Sequence, residues 1–226
     1  MAREEEVVLL SFWSSPFALR ARIALAEKGV RHEIREENLS DKSHLLLRMN
    51  PVHKKIPVLI HNGKPVCESS LIVQYIDEVW NQGSPLLPSD PYERAQARFW
   101  VDLVDKKVYL AAQRVWFIKG GPEDGAKEEL MEVFKLLETE LGAKAYFGGD
   151  RFGYLDLSFF PYYLSIHQLE TAESMLGGEM DAKLPKLEGW MKRCMLRESV
   201  SSVLPDLDKL RDHFQQVRKK RLDEQA

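Results

Sequence analysis

Two pairs of hydroxyl groups stand where apolar segments give way to helices, and both are placed to handle negative charge. Ser14 and Ser15 follow the apolar run at residues 7–12 and precede Pro16 and Phe17, with proline suited to the first helical position. Ser69 and Ser70 follow Glu68 and precede Leu71, Ile72, Tyr75, Ile76 and Val79, apolar at helical spacing, so one of the two sits at a helix N-terminus. Unsatisfied N–H groups and aligned peptide dipoles make such starts collect anions. No histidine accompanies the Ser14-Ser15 pair, and a hydroxyl alone is too weak a base for proton abstraction. Its chemistry is hydrogen-bond donation. Between the two serine pairs lies Lys54-Lys55-Ile56-Pro57. Pro57 lacks an N–H and belongs at the head of a strand, and a cis Ile56–Pro57 bond would leave the Ile56 backbone open to a ligand.

These residues need a frame. The apolar runs at 58–60 and 65–67, separated by His61-Asn62-Gly63-Lys64, predict an antiparallel hairpin with an Asn-Gly turn. Residues 7–12 read as a buried strand. The helix from Pro16 shows an apolar face of Leu19, Ile23 and Ala26, with Arg20, Arg22, Glu27 and Lys28 largely elsewhere, and Gly29 ends it. Val30, His32 and Ile34 alternate as a second strand, so 7–35 forms one βαβ unit with a right-handed crossover. A short helix near 45–49 stops before Pro51. The resulting β-α-β-α-β-β-α order is that of thioredoxin-like domains.

Beyond residue 82 the pattern changes. Gly83, Pro85 and Pro88 punctuate a stretch without periodicity, read as a linker over 83–90. Asp90-Pro91-Tyr92-Glu93 then resembles a capping box that launches a helix to about Trp116, broken at Gly120-Gly121. Amphipathic or apolar helices follow near 130–141, 157–169, 184–195 and 207–217, the second of them central. The expectation is an α/β domain at 1–82 and an all-α helical domain at 91–226.

Composition removes several function classes. The 226 residues are 44% hydrophobic and 30% charged with a net charge of −3, which offers no field for nucleic acid or anionic lipid. No run approaches the length of a membrane helix, and the acidic N-terminus does not read as a leader. Cys67 and Cys194, each inside an apolar segment, read as two buried thiols in a reducing compartment. The six histidines fall in separate segments, so no metal site is expected. Phosphate-loop, dinucleotide and serine-hydrolase motifs are missing.

The combination Ile56-Pro57-Val58-Leu59, an Asn62-Gly63 turn and Glu68-Ser69 resembles the glutathione-binding half of a cytosolic glutathione transferase. Trp13 to Phe17, Asn50 to Pro57, Tyr75 to Trp80, Arg98-Phe99-Trp100 and Tyr146 to Asp150 extend the likeness over nearly the whole chain and make it most similar to the plant tau class. The resemblance implies a thioredoxin-like domain followed by an all-α domain, a cytoplasmic homodimer, and no cofactor beyond glutathione as co-substrate. It implies glutathione contacts at Ser15, Lys42, Lys55, Ile56, Glu68 and Ser69, with Ser15 as the catalytic donor. These types suit a ligand with two carboxylates and one ammonium. The implied activity is conjugation of glutathione to hydrophobic electrophiles, with hydroperoxide reduction beside it; the alternative is a non-catalytic carrier of hydrophobic metabolites.

The electrophile is expected where the two domains face each other, against Phe12, Phe17, Tyr109, Gln113 and Trp116. Tyr109 and Gln113 lie one turn apart on one face, while Trp116 fits the helical core equally well. Two positions depart from the family pattern. Ser14 stands where proline is common, and Gly153 stands three residues before Asp156 where Ser or Thr is common. A weaker cap is expected there, since glycine is tolerated at an N-cap.

Overall fold

The apolar run near the N-terminus becomes β1 (Val7–Ser11), with every residue buried. Details come from a computed structural model that describes residues 5–119, 125–174, 176 and 180–225. β1 pairs in parallel with β2 (Glu33–Glu36), Leu9 opposite Ile34, and antiparallel with β3 (Val58–His61), Leu9 opposite Leu59. β3 pairs antiparallel with β4 (Lys64–Cys67), Leu59 opposite Val66, which gives the sheet order β2-β1-β3-β4. Asn62 (φ 50°) and Gly63 (φ 77°) both take the positive φ that a two-residue hairpin turn requires. The second strand starts at Glu33 rather than Val30 and is exposed throughout, as its charged sequence on a sheet edge requires.

α1 (Pro16–Glu27), α2 (His44–Met49) and α3 (Ser69–Val79) accompany this sheet. Val8, Leu10, Leu46, Val58 and Ile60 form one apolar cluster, with Leu45, Met49, Ile56 and Cys67 against it. Each fully buried aliphatic side chain contributes about 1.5–3 kcal/mol. α1 departs from expectation because Arg20 and Arg22 are buried along with its apolar face. Their guanidinium groups find hydroxyl partners inside the fold, Ser69 for Arg20 and Ser11 for Arg22.

The stretch read as a linker is held in place through Leu87. Leu86 and Leu87 are buried, and both donate their N–H groups to Asp77 of α3. The first compact unit therefore extends to Leu87 and takes in Glu198–Leu204, while Pro88–Arg197 and the described residues from Pro205 onward form the second. The helical part expected as continuous over 91–226 is thus interrupted by α10 (Glu198–Ser201), which packs on α1 through a hydrogen bond from the Ser199 hydroxyl to Glu27.

In the second unit Asp90 caps α4 (Pro91–Leu103), accepting the N–H groups of Tyr92 and Glu93 at 2.9 Å each. A single π-helical turn, Val104–Val108, joins α4 to α5 (Tyr109–Phe117) without a break. The break expected at Gly120-Gly121 lies outside the described residues. α6 (Ala126–Leu141), α7 (Tyr154–Glu173), α8 (Met180–Lys183), α9 (Pro185–Met195) and α11 (Leu207–Asp223) complete the unit. α7 is buried over most of its length and carries the aromatic core, with Phe159 stacked on Trp190 at 5.1 Å.

Asp156 holds that core together. It is fully buried and accepts from Phe147 N at 2.9 Å, Gly153 N at 2.9 Å and the Trp190 indole at 2.7 Å. Gly153 has no side chain to cap α7, so Asp156 supplies the capping bond alone. The N-cap residue of α9, Leu184, likewise offers no capping side chain. Glu138 of α6 reaches across to accept Lys186 N at 2.8 Å and Leu187 N at 2.7 Å. Among the described residues no helix is long and apolar enough to cross a membrane.

Candidate functional site

The sheet register decides where the chemistry-bearing residues go. Ser11 pairs with Glu36, Leu10 with Val58 and Val58 with Cys67, so the ends of β1, β2 and β4 and the start of β3 share one edge. Ser15 follows β1, Lys42 follows β2, Lys55 and Ile56 precede β3, and Glu68-Ser69 follows β4. All six residues implied by the resemblance leave the sheet at this edge. The N-termini of α1 and α3, which pack together, lie there too, and ligands favour the carboxyl ends of strands in such sheets.

Ser15 is the N-cap of α1. Its hydroxyl oxygen accepts from Ala18 N at 3.3 Å, and its own N–H donates to Phe12 O at 3.0 Å. Among the described residues nothing accepts from this hydroxyl, which leaves its hydrogen for an acceptor beyond the helix. Ser15 is half-buried whereas Ser14 is buried, so only one of the adjacent hydroxyls is well presented. Phe12 and Phe17 flank it and are half-buried.

At the second helix start Glu68 is the N-cap and Ser69 the first helical residue of α3. Glu68 has φ 69° and ψ 118°, a backbone conformation that a residue with a Cβ rarely adopts. Its carboxylate points outward and makes no capping bond; the Nε2 of His53 lies 3.7 Å from its Oε1. The Ser69 hydroxyl accepts from Arg20 Nη1 at 3.2 Å. A buried guanidinium therefore stands behind the helix start where an anion would bind.

Between the helices the chain is shaped by Asn50, buried at the end of α2. Its Nδ2 donates to Lys55 O at 2.9 Å and its Oδ1 accepts from His53 N at 3.0 Å. The Ile56–Pro57 bond is cis, and neither backbone polar group of Ile56 bonds another described residue. Lys42 and Lys55 are exposed and have no ion-pair partner among the described residues. Two unpaired ammonium groups, one outward carboxylate, two helix-start hydroxyls and an open peptide edge together suit an extended peptide with two carboxylates and one amine.

Sequence reading missed Arg20 and Asn50. An arginine off the apolar stripe normally reads as solvated, and Asn50 carried only the weak signal of standing before Pro51. Cys67 is half-buried rather than buried. Burial and then Glu68 push its thiol above the usual range, so it stays protonated beside the site. Among the described residues no cluster of metal-ligating side chains occurs.

The remaining candidates belong to the second unit. Tyr109 is half-buried, its ring 5.8 Å from that of Tyr162, and Gln113 Oε1 accepts from Arg221 Nη1 at 2.8 Å. Trp116 differs. It is fully buried and packs as core, so it presents no surface to a ligand.

Known proteins resemble the chain throughout. Residues 5–78 match the family model for the glutathione S-transferase N-terminal domain, and residues 110–198 that for the C-terminal domain. Glutathione S-transferase U22 of Arabidopsis thaliana is 56% identical over 95% of this chain and 97% of its own. Glutathione S-transferase 3 of Glycine max is 55% identical over 91% and 93%. Among solved structures, a rice glutathione S-transferase in complex with glutathione superimposes with a TM-score of 0.88 at 43% identity, covering 97% of this chain and 99% of that one. A tau-class enzyme from mango, Mangifera indica, gives 0.86 at 41% identity, covering 94% and 98%.

Proposed function

Since the chain belongs to the glutathione S-transferase family and is most similar to its plant tau class, we propose that it binds glutathione at the strand ends, ionises the thiol and transfers it to hydrophobic electrophiles. The observation that carries this reading is Ser15, with a hydroxyl hydrogen unspent at the N-terminus of α1. Lys42 and Lys55 take one carboxylate, the Ile56 backbone pairs with the cysteinyl peptide, and Glu68 and Ser69 receive the glutamyl end, ammonium to carboxylate and carboxylate to helix start.

The energetics are sufficient. A thiol of pKa about 8.5 is roughly 3% ionised at pH 7, and lowering that value by about two units requires ~2.7 kcal/mol of preferential thiolate stabilisation. A hydrogen bond to a charged acceptor contributes about 1.5–3 kcal/mol, and the helix start adds ~0.3–1 kcal/mol. The thiol proton leaves to solvent. With a chlorinated dinitrobenzene the thiolate forms a C–S bond to the ring carbon and chloride departs with its electron pair.

Hydroperoxide reduction uses the same thiolate. Sulfur attacks the distal peroxide oxygen, the O–O bond breaks, and the alkoxide leaves and takes a proton as the alcohol. A second glutathione displaces hydroxide from the resulting sulfenic acid, giving the disulfide and water. Phe12, Phe17, Tyr109 and Gln113 are the proposed contacts to the apolar substrate. A homodimer in the cytoplasm belongs to the same proposal; two free cysteines suit a reducing compartment.

The test is conjugation to a chlorinated dinitrobenzene beside reduction of cumene hydroperoxide, with glutathione affinity measured by titration. Turnover of both is expected. Glutathione binding without turnover of either would replace the enzyme reading by that of a carrier.

A further inference from the structure

The carboxylate of Glu37 is buried, 6% of the residue being exposed, and no cation pairs with it among the described residues. Burying a charge this way is costly unless hydrogen bonds compensate. Its bonds go to one residue. Ser43 donates its hydroxyl to Oε1 at 2.7 Å and its N–H to Oε2 at 3.2 Å. The Ser43 hydroxyl oxygen in turn accepts Leu46 N at 3.0 Å and caps α2, while Glu37 N donates to Ser11 O at 2.8 Å at the end of β1.

Glu37 and Ser43 are thus the two feet of a clasp. The loop between them is folded by Ser40 N to Asn38 Oδ1 at 3.0 Å and Asp41 N to Asn38 O at 3.1 Å, and its last residue is Lys42. Ser43 alone would suffice to cap α2. The added buried carboxylate fixes where the loop ends against the sheet, and with it where Lys42 leaves the chain.

We propose that Glu37 is a positioning residue that acts through Lys42, holding its ammonium where it meets the glycyl carboxylate of glutathione. The inference rests on the reading of Lys42 given above. Glu37 itself touches no substrate. Its effect must therefore vanish when either end of the Lys42 interaction is absent.

The experiment measures dissociation constants for glutathione and for γ-glutamylcysteine, which lacks the glycyl carboxylate, in full-length wild type, Glu37→Ala, Glu37→Gln, Lys42→Met and the Glu37→Ala, Lys42→Met double variant. Glu37→Ala is expected to weaken glutathione binding about three- to tenfold and to leave γ-glutamylcysteine unchanged. Glu37→Gln, which keeps an acceptor for Ser43, should recover part of the loss and provides the reading if the alanine variant does not fold. The double variant should be no weaker than Lys42→Met alone. Equal weakening toward both ligands, or additive losses in the double variant, would show a merely structural carboxylate and overturn the proposal. Unaltered glutathione binding by Lys42→Met would instead refute the assignment of Lys42, and this inference with it.

Discussion

Lys28 Nζ lies 2.6 Å from Asp77 Oδ1, with 1% and 8% of the two side chains exposed. The same ammonium donates to Ser84 O at 3.0 Å, and the same carboxylate accepts Leu86 N at 2.8 Å and Leu87 N at 3.0 Å. A buried pair thus joins the end of α1 to α3 and pins the segment leaving α3. Removing one partner from such a pair costs about 3–5 kcal/mol, because the other charge stays buried without compensation. Asp77→Ala is expected to lower stability by that amount, read from the denaturant midpoint of the first unit's unfolding. A loss below ~1 kcal/mol would mean that water replaces the carboxylate and that the segment is free.

That pair also shows what a sequence conceals. Residues 83–90 read as a linker because Gly83, Pro85 and Pro88 break every periodicity, yet Leu86 and Leu87 are buried. Local composition reports backbone punctuation and carries no record of a partner such as Asp77 or Lys28. The strands and helices were legible because alternation and helical spacing are local, as in 58–60 and 65–67 around Asn62-Gly63. The proposed site residues are legible for a similar reason, each lying in or at the end of a connection between a strand and a helix. Their supports were not, since Arg20 with Ser69 and Glu37 with Ser43 are pairings made by the fold. Arg20 and Arg22 were misplaced because burial of arginine depends on a partner that spacing does not show. Trp116 was ambiguous because an aromatic on a helix face looks alike whether it meets core or ligand.

Glu68 combines a positive φ with an outward carboxylate. Such backbone costs about 1–3 kcal/mol for a residue with a Cβ, which favours glycine unless the side chain is needed. Glu68→Ala is expected to raise the Michaelis constant for glutathione about tenfold, the worth of a lost charged hydrogen bond. Glu68→Gly should weaken binding equally while leaving stability unchanged or higher by up to ~1 kcal/mol. Full affinity in both variants would remove Glu68 from the glutathione site.

Burial pushes the Asp156 carboxyl up from its ordinary 3.8 to about 6, against the downward pull of its bonds from Phe147, Trp190, Gly153 and Gly148. Between those two values the unfolded chain has released a proton that the folded chain keeps. Stability therefore falls as pH rises through that window and levels off above it. The stability of wild type minus that of Asp156→Asn is expected to be greatest near pH 4 and to decline toward pH 6, measured by denaturant unfolding at fixed ionic strength. A difference that grows with pH would mean that the four donors hold the anion more tightly than burial repels it.

The last prediction separates the adjacent hydroxyls at the start of α1. Ser15 is presented with a free hydrogen while Ser14 is buried, so the two substitutions should differ sharply. Ser15→Ala removes the donor together with the oxygen that caps Ala18 N, while Pro16 and the α1 dipole remain, and conjugation at neutral pH should fall by roughly one to two orders of magnitude. Raising the pH should recover part of the rate, because glutathione then ionises without the hydrogen bond. Ser15→Cys places a thiol at a helix N-terminus, where its pKa is depressed and it attacks disulfides itself. Conjugation should drop and glutathione-dependent thiol transfer should appear. Ser14→Ala should leave both activities near wild type. If Ser14→Ala instead abolishes conjugation and Ser15→Ala does not, the donor is Ser14 and the turn from β1 into α1 presents the other hydroxyl when glutathione is bound.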